Sequence, residues 1–175
     1  MGDPLLRRVS ALVAQPGDAA DLLRDLSDTL AEFRRTHGFG RGISAIQIGD
    51  ARRVIFLRVE GIPYELLNPE YVEKSVETFE LWDDCFSFPN LMVRLRRHTA
   101  VRVRYQTPLG GWAELAAQDA LSELIQHEMD HLEGILAVDR AESSLDLATR
   151  DEFLRSSPAE AAIGVEHVDG SRLHP

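Results

Sequence analysis

Two histidines four residues apart in a helical segment constrain the fold of this chain more than any other feature. His127 and His131 bracket Glu128 in the run His-Glu-Met-Asp-His. Residues 118–133 around them are typical of a helix, so the two side chains project from one face and can bind one metal ion together. The alternative is a charge-rich helix face that is exposed to water and binds no metal.

The same helix carries a candidate acid–base group. Glu128 follows His127 directly, near the position where a metal would hold water. Its carboxylate could take a proton from that water and deliver it to a leaving amine. Asp119 is the predicted N-cap of this helix, and Gly134 is the predicted stop.

A third ligand is needed, because hydrolytic sites usually have three protein ligands and one open position. A third histidine at the spacing of one protease class is excluded, since Ala137 occupies that position. Glu152 lies downstream at the spacing where another protease class has a glutamate ligand, but the intervening sequence gives no support for Glu152 as a ligand. Cys85 is the single cysteine of the chain and precedes Ser87 and Pro89 in a predicted loop, which suits a metal ligand. An inert core cysteine is the alternative.

Length and charge exclude several classes of protein. A chain of 175 residues with 44% hydrophobic residues can form one buried core. We predict one domain over residues 1–157 and a loosely ordered tail over residues 158–175. A net charge of −10 disfavours nucleic acid as a partner. No apolar stretch approaches the roughly 20 residues that span a bilayer, and residues 1–10 have no signal-peptide core. We therefore expect a cytoplasmic protein without a membrane partner.

Hydrophobic periodicity predicts strands between helices. Apolar residues recur at helical spacing over residues 22–37. Five later segments are typical of strands in an antiparallel sheet: residues 54–57, 64–67, 72–79, 93–95 and 101–105. Asn68 and Pro69 are predicted to end the second of these strands. A further helix is predicted over residues 145–155.

Three segments resemble, in the same order, the motifs of the peptide deformylase family. The first reads Gly-Arg-Gly-Ile-Ser-Ala-Ile-Gln over residues 40–47 and resembles glycine-x-glycine-x-alanine-alanine-x-glutamine. The second reads Asp-Asp-Cys-Phe-Ser over residues 83–87 and resembles glutamate-glycine-cysteine-leucine-serine. The third, residues 126–134, contains the two histidines. Weaker support comes from residues 2–7, 68–69 and 139–140.

The resemblance implies an α+β fold in which antiparallel β-sheets surround a central metal-binding helix. It also implies an enzyme that removes a formyl group from an N-terminal amine, commonly the formylmethionine of new proteins, through attack by metal-bound hydroxide. The implied cofactor is one divalent metal ion, natively Fe²⁺, with Zn²⁺, Ni²⁺ or Co²⁺ as alternatives. Its implied ligands are Cys85, His127 and His131.

The resemblance also assigns groups that would stabilise negative charge on the formyl oxygen. These are the side-chain amide of Gln47 and the backbone N–H of Phe86. Glu128 would pass a proton to the departing amine. Asp83 keeps the acidic character of the family glutamate, and Arg97 stands where the family has an arginine that can pair with it.

The chain departs from the family pattern around the substrate. Arg41 and Glu123 replace apolar residues, Asp84 replaces a glycine, and Ser44 replaces an alanine. Two opposite charges that converge on one pocket suggest an ion pair, which would make the pocket polar and smaller. The predicted substrate-binding residues are Arg41, Gly42, Leu81, Asp84, Ala120, Glu123 and Leu124.

We therefore predict hydrolysis of the formyl amide in a polar or otherwise non-standard substrate, either a small N-formylated molecule or a formylated peptide N-terminus. A conventional peptide deformylase that acts on N-formylmethionine is the first alternative. The second is a metal-containing protein that has lost hydrolysis and only binds a ligand. A purely structural metal would need neither Gln47 nor Glu128, which favours an enzyme.

Overall fold

The computed structural model describes residues 2–156, in which two antiparallel sheets and three α-helices form an α+β fold. The helices are α1 Ala20–His37, α2 Asp119–Leu132 and α3 Arg150–Ser156. The strands are β1 Gly42–Ser44, β2 Val54–Val59, β3 Ile62–Lys74, β4 Thr78–Asp84, β5 Leu91–His98, β6 Ala100–Gln106, β7 Trp112–Gln118 and β8 Leu147–Thr149. One sheet has the order β1-β2-β3-β6-β7, and the other has the order β4-β5-β8. The expected fold class is confirmed.

Helix α2 is central because both of its faces are covered. Ile125, Met129 and Leu132 recur at helical spacing and pack against the five-stranded sheet. His127 and His131 project from the opposite face and are also buried. The apolar stripe therefore holds the helix in place while the motif histidines face away from that sheet.

The start of α2 differs from the sequence prediction. Gln118, in an extended conformation, is the N-cap, and Asp119 is the first helical residue, with a φ of 48°. The Asp119 backbone N–H donates to the carbonyl of Thr99 (2.8 Å). Because β7 runs up to Gln118, the chain turns out of the sheet at Asp119, and side-chain capping by Asp119 is not used.

Helix α1 packs on the edge of the five-stranded sheet. Leu22, Leu26 and Leu30 are buried in one cluster with Phe56 of β2. The helix predicted over residues 22–37 is confirmed and begins slightly earlier, at residue 20.

The strand predicted over residues 72–79 is wrong as a single element, because it covers the end of β3 and the start of β4. These two strands belong to different sheets. Between them, the Ser75 backbone N–H donates to the carbonyl of Ala100 (2.9 Å), and the Ser75 hydroxyl donates to the carbonyl of Glu77 (2.9 Å). These bonds bend the chain from one sheet into the other.

The strand end predicted at Asn68 and Pro69 is also wrong, since both residues lie inside β3. Asn68 has a φ of 51°, and its side-chain amide donates to the Val13 carbonyl (2.9 Å) and to Gln106 Oε1 (2.7 Å). The pairing of β3 with β6 shifts register at this point. A bulge held by side-chain bonds lets the strand continue through a proline.

The helix predicted over residues 145–155 is correct only in its C-terminal half. Leu147–Thr149 forms β8 and pairs with β5, and the helix begins at Arg150. Strands β1 and β7 had not been predicted. The predicted tail over residues 158–175 lies outside the described residues, and no helix within residues 2–156 is long and apolar enough to cross a membrane.

Candidate active site

Three side chains converge beside α2. The Nε2 atoms of His127 and His131 lie 3.2 Å apart, and Cys85 Sγ lies 3.2 Å from His131 Nε2. Helix α2 supplies both imidazoles, and the loop after β4 supplies the thiol. All three residues are buried, and their ligand atoms lie within 4.8 Å of one another.

The three converging donors fit a metal ion. Thiolate and neutral imidazole are ligands that several first-row divalent metals share. In these forms the sulfur and both Nε2 atoms direct lone pairs into one buried space, where a cation would satisfy all three. The residues therefore suit one divalent metal with a further position open, and this donor set does not select among iron, zinc, nickel and cobalt.

A buried ionic network orients one of the imidazoles. Asp83 Oδ1 lies 2.9 Å from His127 Nδ1, and Arg97 donates to Asp83 (3.0 Å) and to Asp130 (2.5 Å). Burial raises the pKa of Asp83, but the charges of His127 and Arg97 outweigh burial and lower that pKa. With its Nδ1 engaged, the His127 ring directs Nε2 toward Cys85 and His131. The pairing of Asp83 with Arg97 expected from the sequence is present.

Glu128 is placed for proton transfer beside these ligands. It is only 2% exposed, and the Ser44 hydroxyl donates to its Oε2 (2.5 Å). Burial raises the pKa of Glu128 to about 7, against the opposing effects of His127 and the Ser44 hydrogen bond. A carboxyl group that titrates near neutrality can both accept and release a proton.

Strand β1 brings the first motif against Glu128. A Cβ atom on Gly42 would lie 2.7 Å from Glu128 Oε1 and 3.0 Å from Leu124, so this close approach requires glycine. Gln47 lies in the 3₁₀ turn after β1. Its Oε1 accepts from the Ser44 backbone N–H (2.8 Å), and its Nε2 lies 3.8 Å from the Cys85 sulfur. The amide N–H₂ group is therefore held beside the Cys85 sulfur.

Aromatic packing fixes the residue after the cysteine. The Phe86 ring stacks on Phe33 of α1, with 3.7 Å between ring centroids. A Cβ atom on Gly40 would lie 2.5 Å from the Phe86 ring. The backbone at Cys85 and Phe86 is thereby packed closely against the first motif.

An ion pair lies next to His127, one of the candidate metal ligands. Arg41 donates to Glu123 (2.6 Å) and to the carbonyl of Ala120 (3.1 Å). The Glu123 side chain is 8% exposed and that of Arg41 is 26% exposed. Burial and the charge of Asp83 raise the pKa of Glu123. One carboxylate oxygen of Glu123 lies within 4.8 Å of ligand-type atoms of Asp83 and His127. The predicted pair is present, one helical turn from His127.

Asp84, the charged residue that replaces the family glycine beside the cysteine, is paired with an arginine. Arg150 of α3 donates to Asp84 (2.5 Å) and to the carbonyl of Pro89 (2.7 Å). No local pattern could have shown this, because Arg150 lies 66 positions downstream of Asp84 and within a predicted helix. Leu81 packs against the apolar cluster that contains Cys85. It therefore supports the loop that carries this cysteine.

Fold and site together fit the class of metal-dependent hydrolases, with Cys85, His127 and His131 as the candidate ligands. The sequence profile of the family described as polypeptide deformylase matches residues 1–146. The chain belongs to the polypeptide deformylase family, which confirms the resemblance found in the three motifs.

Individual relatives agree with this assignment. Peptide deformylase 2 of Nostoc sp. is 32% identical over 165 residues, which cover 87% of this chain and 89% of the relative. The peptide deformylase of Heliobacterium modesticaldum is 38% identical over 144 residues, with 82% and 91% covered. The crystal structure of a peptide deformylase from Legionella pneumophila has a TM-score of 0.77 at 27% identity and covers 93% of both chains. That from Thermotoga maritima has a TM-score of 0.73 at 30% identity, with 82% of this chain and 95% of that chain covered.

Proposed function

We propose that this chain removes the formyl group from the first residue of formylated peptides, with N-formylmethionine as that residue. The observation that carries the proposal is the convergence of Cys85, His127 and His131 beside Glu128 in a member of the polypeptide deformylase family. A non-standard polar substrate, which the sequence departures had favoured, has less support because the relatives are named peptide deformylases. The proposed substrate occurs on new proteins, so we propose a cytoplasmic location.

Three groups of this chain would carry the reaction around the metal: the Glu128 carboxylate, the Gln47 amide and the Phe86 backbone N–H. A divalent metal held by Cys85, His127 and His131 would supply the Lewis acid that makes water nucleophilic at neutral pH. The Glu128 carboxylate takes a proton from that water as the water oxygen adds to the formyl carbon. The Gln47 amide and the Phe86 backbone N–H donate to the formyl oxygen, where negative charge develops.

Glu128 completes the reaction at the leaving group. Its carboxyl group delivers the proton to the amine nitrogen as the carbon–nitrogen bond breaks. Formate and a free N-terminal amine are the products. The pKa of about 7 for Glu128 suits both halves of this transfer.

Two strand edges flank the metal ligands and suit an extended peptide. Strand β1 is the last strand of one sheet, and β4 is the last strand of the other. Strand β1 leads to Gln47, and β4 leads to Cys85. An outer strand presents backbone N–H and C=O groups that a peptide can pair with. We therefore propose that the substrate backbone adds between these two edges.

Formate release from N-formyl-Met-Ala tests the function. Protein purified and assayed without oxygen, with added Fe²⁺, should release formate, and Glu128→Ala should lose this activity by a factor on the order of 10² or more. Absence of formate release from metal-loaded wild-type protein would overturn the proposal. The remaining interpretation would then be a protein that binds a ligand and does not catalyse hydrolysis.

Ferrous iron is our proposal for the native metal. A thiolate and two imidazoles suit iron, zinc, nickel and cobalt alike, so the choice of iron rests on family membership, which implies Fe²⁺ as the native metal. Metal analysis of protein isolated under anaerobic conditions should find about one iron per chain. Stoichiometric zinc with no iron under the same conditions would contradict iron as the native metal. It would not contradict the proposed hydrolysis.

A second candidate keeps the reaction but changes the substrate. Glu123 lies one turn before His127, so a side chain next to the reacting amide must approach the Arg41–Glu123 pair. That observation favours a polar group beside the amine. A panel of N-formyl peptides with different first residues decides between the two candidates. Turnover of N-formyl-Met-Ala well above that of polar first residues would exclude the polar substrate.

A further inference from the structure

One arginine of α3 contacts two backbone segments beside the metal ligands. Arg150 donates to the Asp84 carboxylate and to the Pro89 carbonyl, on either side of Cys85 in the sequence. Its guanidinium carbon also lies 4.0 Å from the centroid of the Phe39 ring. Phe39 directly precedes the glycine-containing segment that leads into β1.

Arg150 itself is held firmly. Its side chain is 22% exposed, and its backbone N–H donates to the carbonyl of Asn90 (2.9 Å). Phe153, one turn further along α3, packs on Trp82 of β4, with 5.4 Å between ring centroids. A charge-assisted bond, a second hydrogen bond and a cation–π contact on one partly buried guanidinium are worth more than an isolated surface pair.

We propose that Arg150 is a positioning residue that sets the spacing between the β1 and β4 edges and so determines how tightly an extended peptide is bound. The inference rests on the proposed function, in which the substrate backbone adds between those edges. Arg150 reaches β4 through Asp84 and the segment before β1 through Phe39. It lies beyond residue 146, where the family match ends, so this chain supplies the contact from outside the matched region.

The length of the substrate should reveal this role. Arg150 is bonded to strand and loop groups around the ligands, so its loss should weaken backbone pairing more than chemistry. An N-formylated single residue offers few backbone groups, whereas a tripeptide can pair along both edges. Loosened edges should therefore raise KM for longer substrates and change kcat little.

The test uses full-length, metal-loaded protein with N-formyl-Met amide, N-formyl-Met-Ala and N-formyl-Met-Ala-Ser, and it measures formate release. Arg150→Gln should lower kcat/KM by about tenfold for the tripeptide, mainly through KM, and by less than about threefold for the amide. Asp84→Asn removes the negative charge that strengthens the same bond, from the β4 side, and should show the same length dependence. The double variant should be little worse than either single variant, since both lose one interaction.

Arg155→Gln is the matched control. Arg155 lies on the same helix but pairs with neighbouring Glu152 at the surface, so this variant should match wild type on all three substrates. If Arg150→Gln and Asp84→Asn lose kcat/KM equally on all three substrates, or on none, the inference is overturned. Turnover by wild type in the same assay would still uphold the proposed function. If Arg150→Gln fails to fold, Asp84→Asn alone decides. A wild-type protein inactive on every substrate would instead overturn the proposed function.

Discussion

Buried polar residues around the metal ligands are each bonded to a residue far away in the sequence. Ser44 bonds Glu128 across 84 positions, and Arg41 bonds Glu123 across 82 positions. A buried polar group without a partner is costly, so each bond both satisfies a side chain and fixes its direction. Single substitutions near the candidate metal site should therefore have separable effects on catalytic rate and on the free energy of unfolding.

Gln47→Ala should impair catalysis and leave the fold nearly unchanged. Its amide is held at the metal ligands, where it would donate to the developing oxyanion, and losing one such donor lowers kcat by a factor on the order of 10². We expect the free energy of unfolding to change by about 1 kcal/mol or less. Steady-state kinetics and urea denaturation check the two effects. A variant with wild-type kcat would remove Gln47 from the reaction.

Ser44→Ala should move the pH dependence of the enzyme. The Ser44 hydroxyl donates to Glu128 and so stabilises the ionised carboxylate, which lowers the pKa of Glu128. Without that bond the pKa rises, and the base form that accepts the proton appears only at higher pH. The acid limb of the kcat/KM profile should therefore shift to higher pH in metal-loaded protein.

Ser122→Ala is the control for that shift. Ser122 is another buried hydroxyl, but it donates to the carbonyl of His98. Its removal should leave the position of the acid limb where it is in wild type. An acid limb that does not move in Ser44→Ala would contradict the coupling of Ser44 to Glu128.

The Arg41–Glu123 pair should behave as a unit in stability measurements. Arg41→Leu leaves the buried carboxyl of Glu123 without its cation, and we expect a loss of about 1–3 kcal/mol, moderated because Arg41 is partly exposed to water. The double variant Arg41→Leu/Glu123→Ile should recover most of that loss. Urea denaturation of wild type, Arg41→Leu, Glu123→Ile and the double variant measures the coupling, and strictly additive losses would contradict it.

Among the elements, helix α2 has two roles, and helical periodicity places them on opposite faces of the helix. One face packs on the five-stranded sheet, and the other carries Glu128 and the candidate ligands His127 and His131. Helices α1 and α2 were predictable because their apolar spacing is a local property of the chain. The bend at Ser75 and strand β8 were not, since each depends on hydrogen bonds to strands elsewhere in the sequence.

Ile125→Ala should weaken the protein through the packing face of α2. Ile125 is fully buried, and truncating such a side chain costs about 2–4 kcal/mol through lost contacts and a cavity. Leu145→Ala is the control, because Leu145 is 82% exposed and its truncation should change stability by about 0.5 kcal/mol or less. Denaturant unfolding compares them, and similar effects would contradict the central position of α2.

For the molecule as a whole, the metal site joins parts that are otherwise distant in sequence. Cys85 follows a strand of the smaller sheet, whereas His127 and His131 lie on the helix that packs against the larger sheet. A bound metal would therefore link the two halves of the fold. Binding to the folded state alone adds stability.

Removing the metal should lower the melting temperature. With metal in about hundredfold excess over Kd, we expect the chelator-treated protein to melt about 5 °C lower or more. Cys85→Ala should show a much smaller response to chelator, because it lacks one ligand. Calorimetry of both proteins with and without chelator gives the comparison. Equal responses would argue against Cys85 as a ligand.

The order and spacing of residues were enough to predict the helix that carries His127, Glu128 and His131, the class of fold, and the family to which the chain belongs. Those features depend on spacing along the chain, and helical geometry converts spacing directly into a shared face. The pairs of residues around the site, in contrast, emerge from the three-dimensional packing. Asp84 was identified as a charge beside the cysteine, but its partner Arg150 came from 66 positions away. Charges are satisfied by whatever the fold brings within hydrogen-bonding distance, and that depends on packing across the two sheets rather than on local pattern.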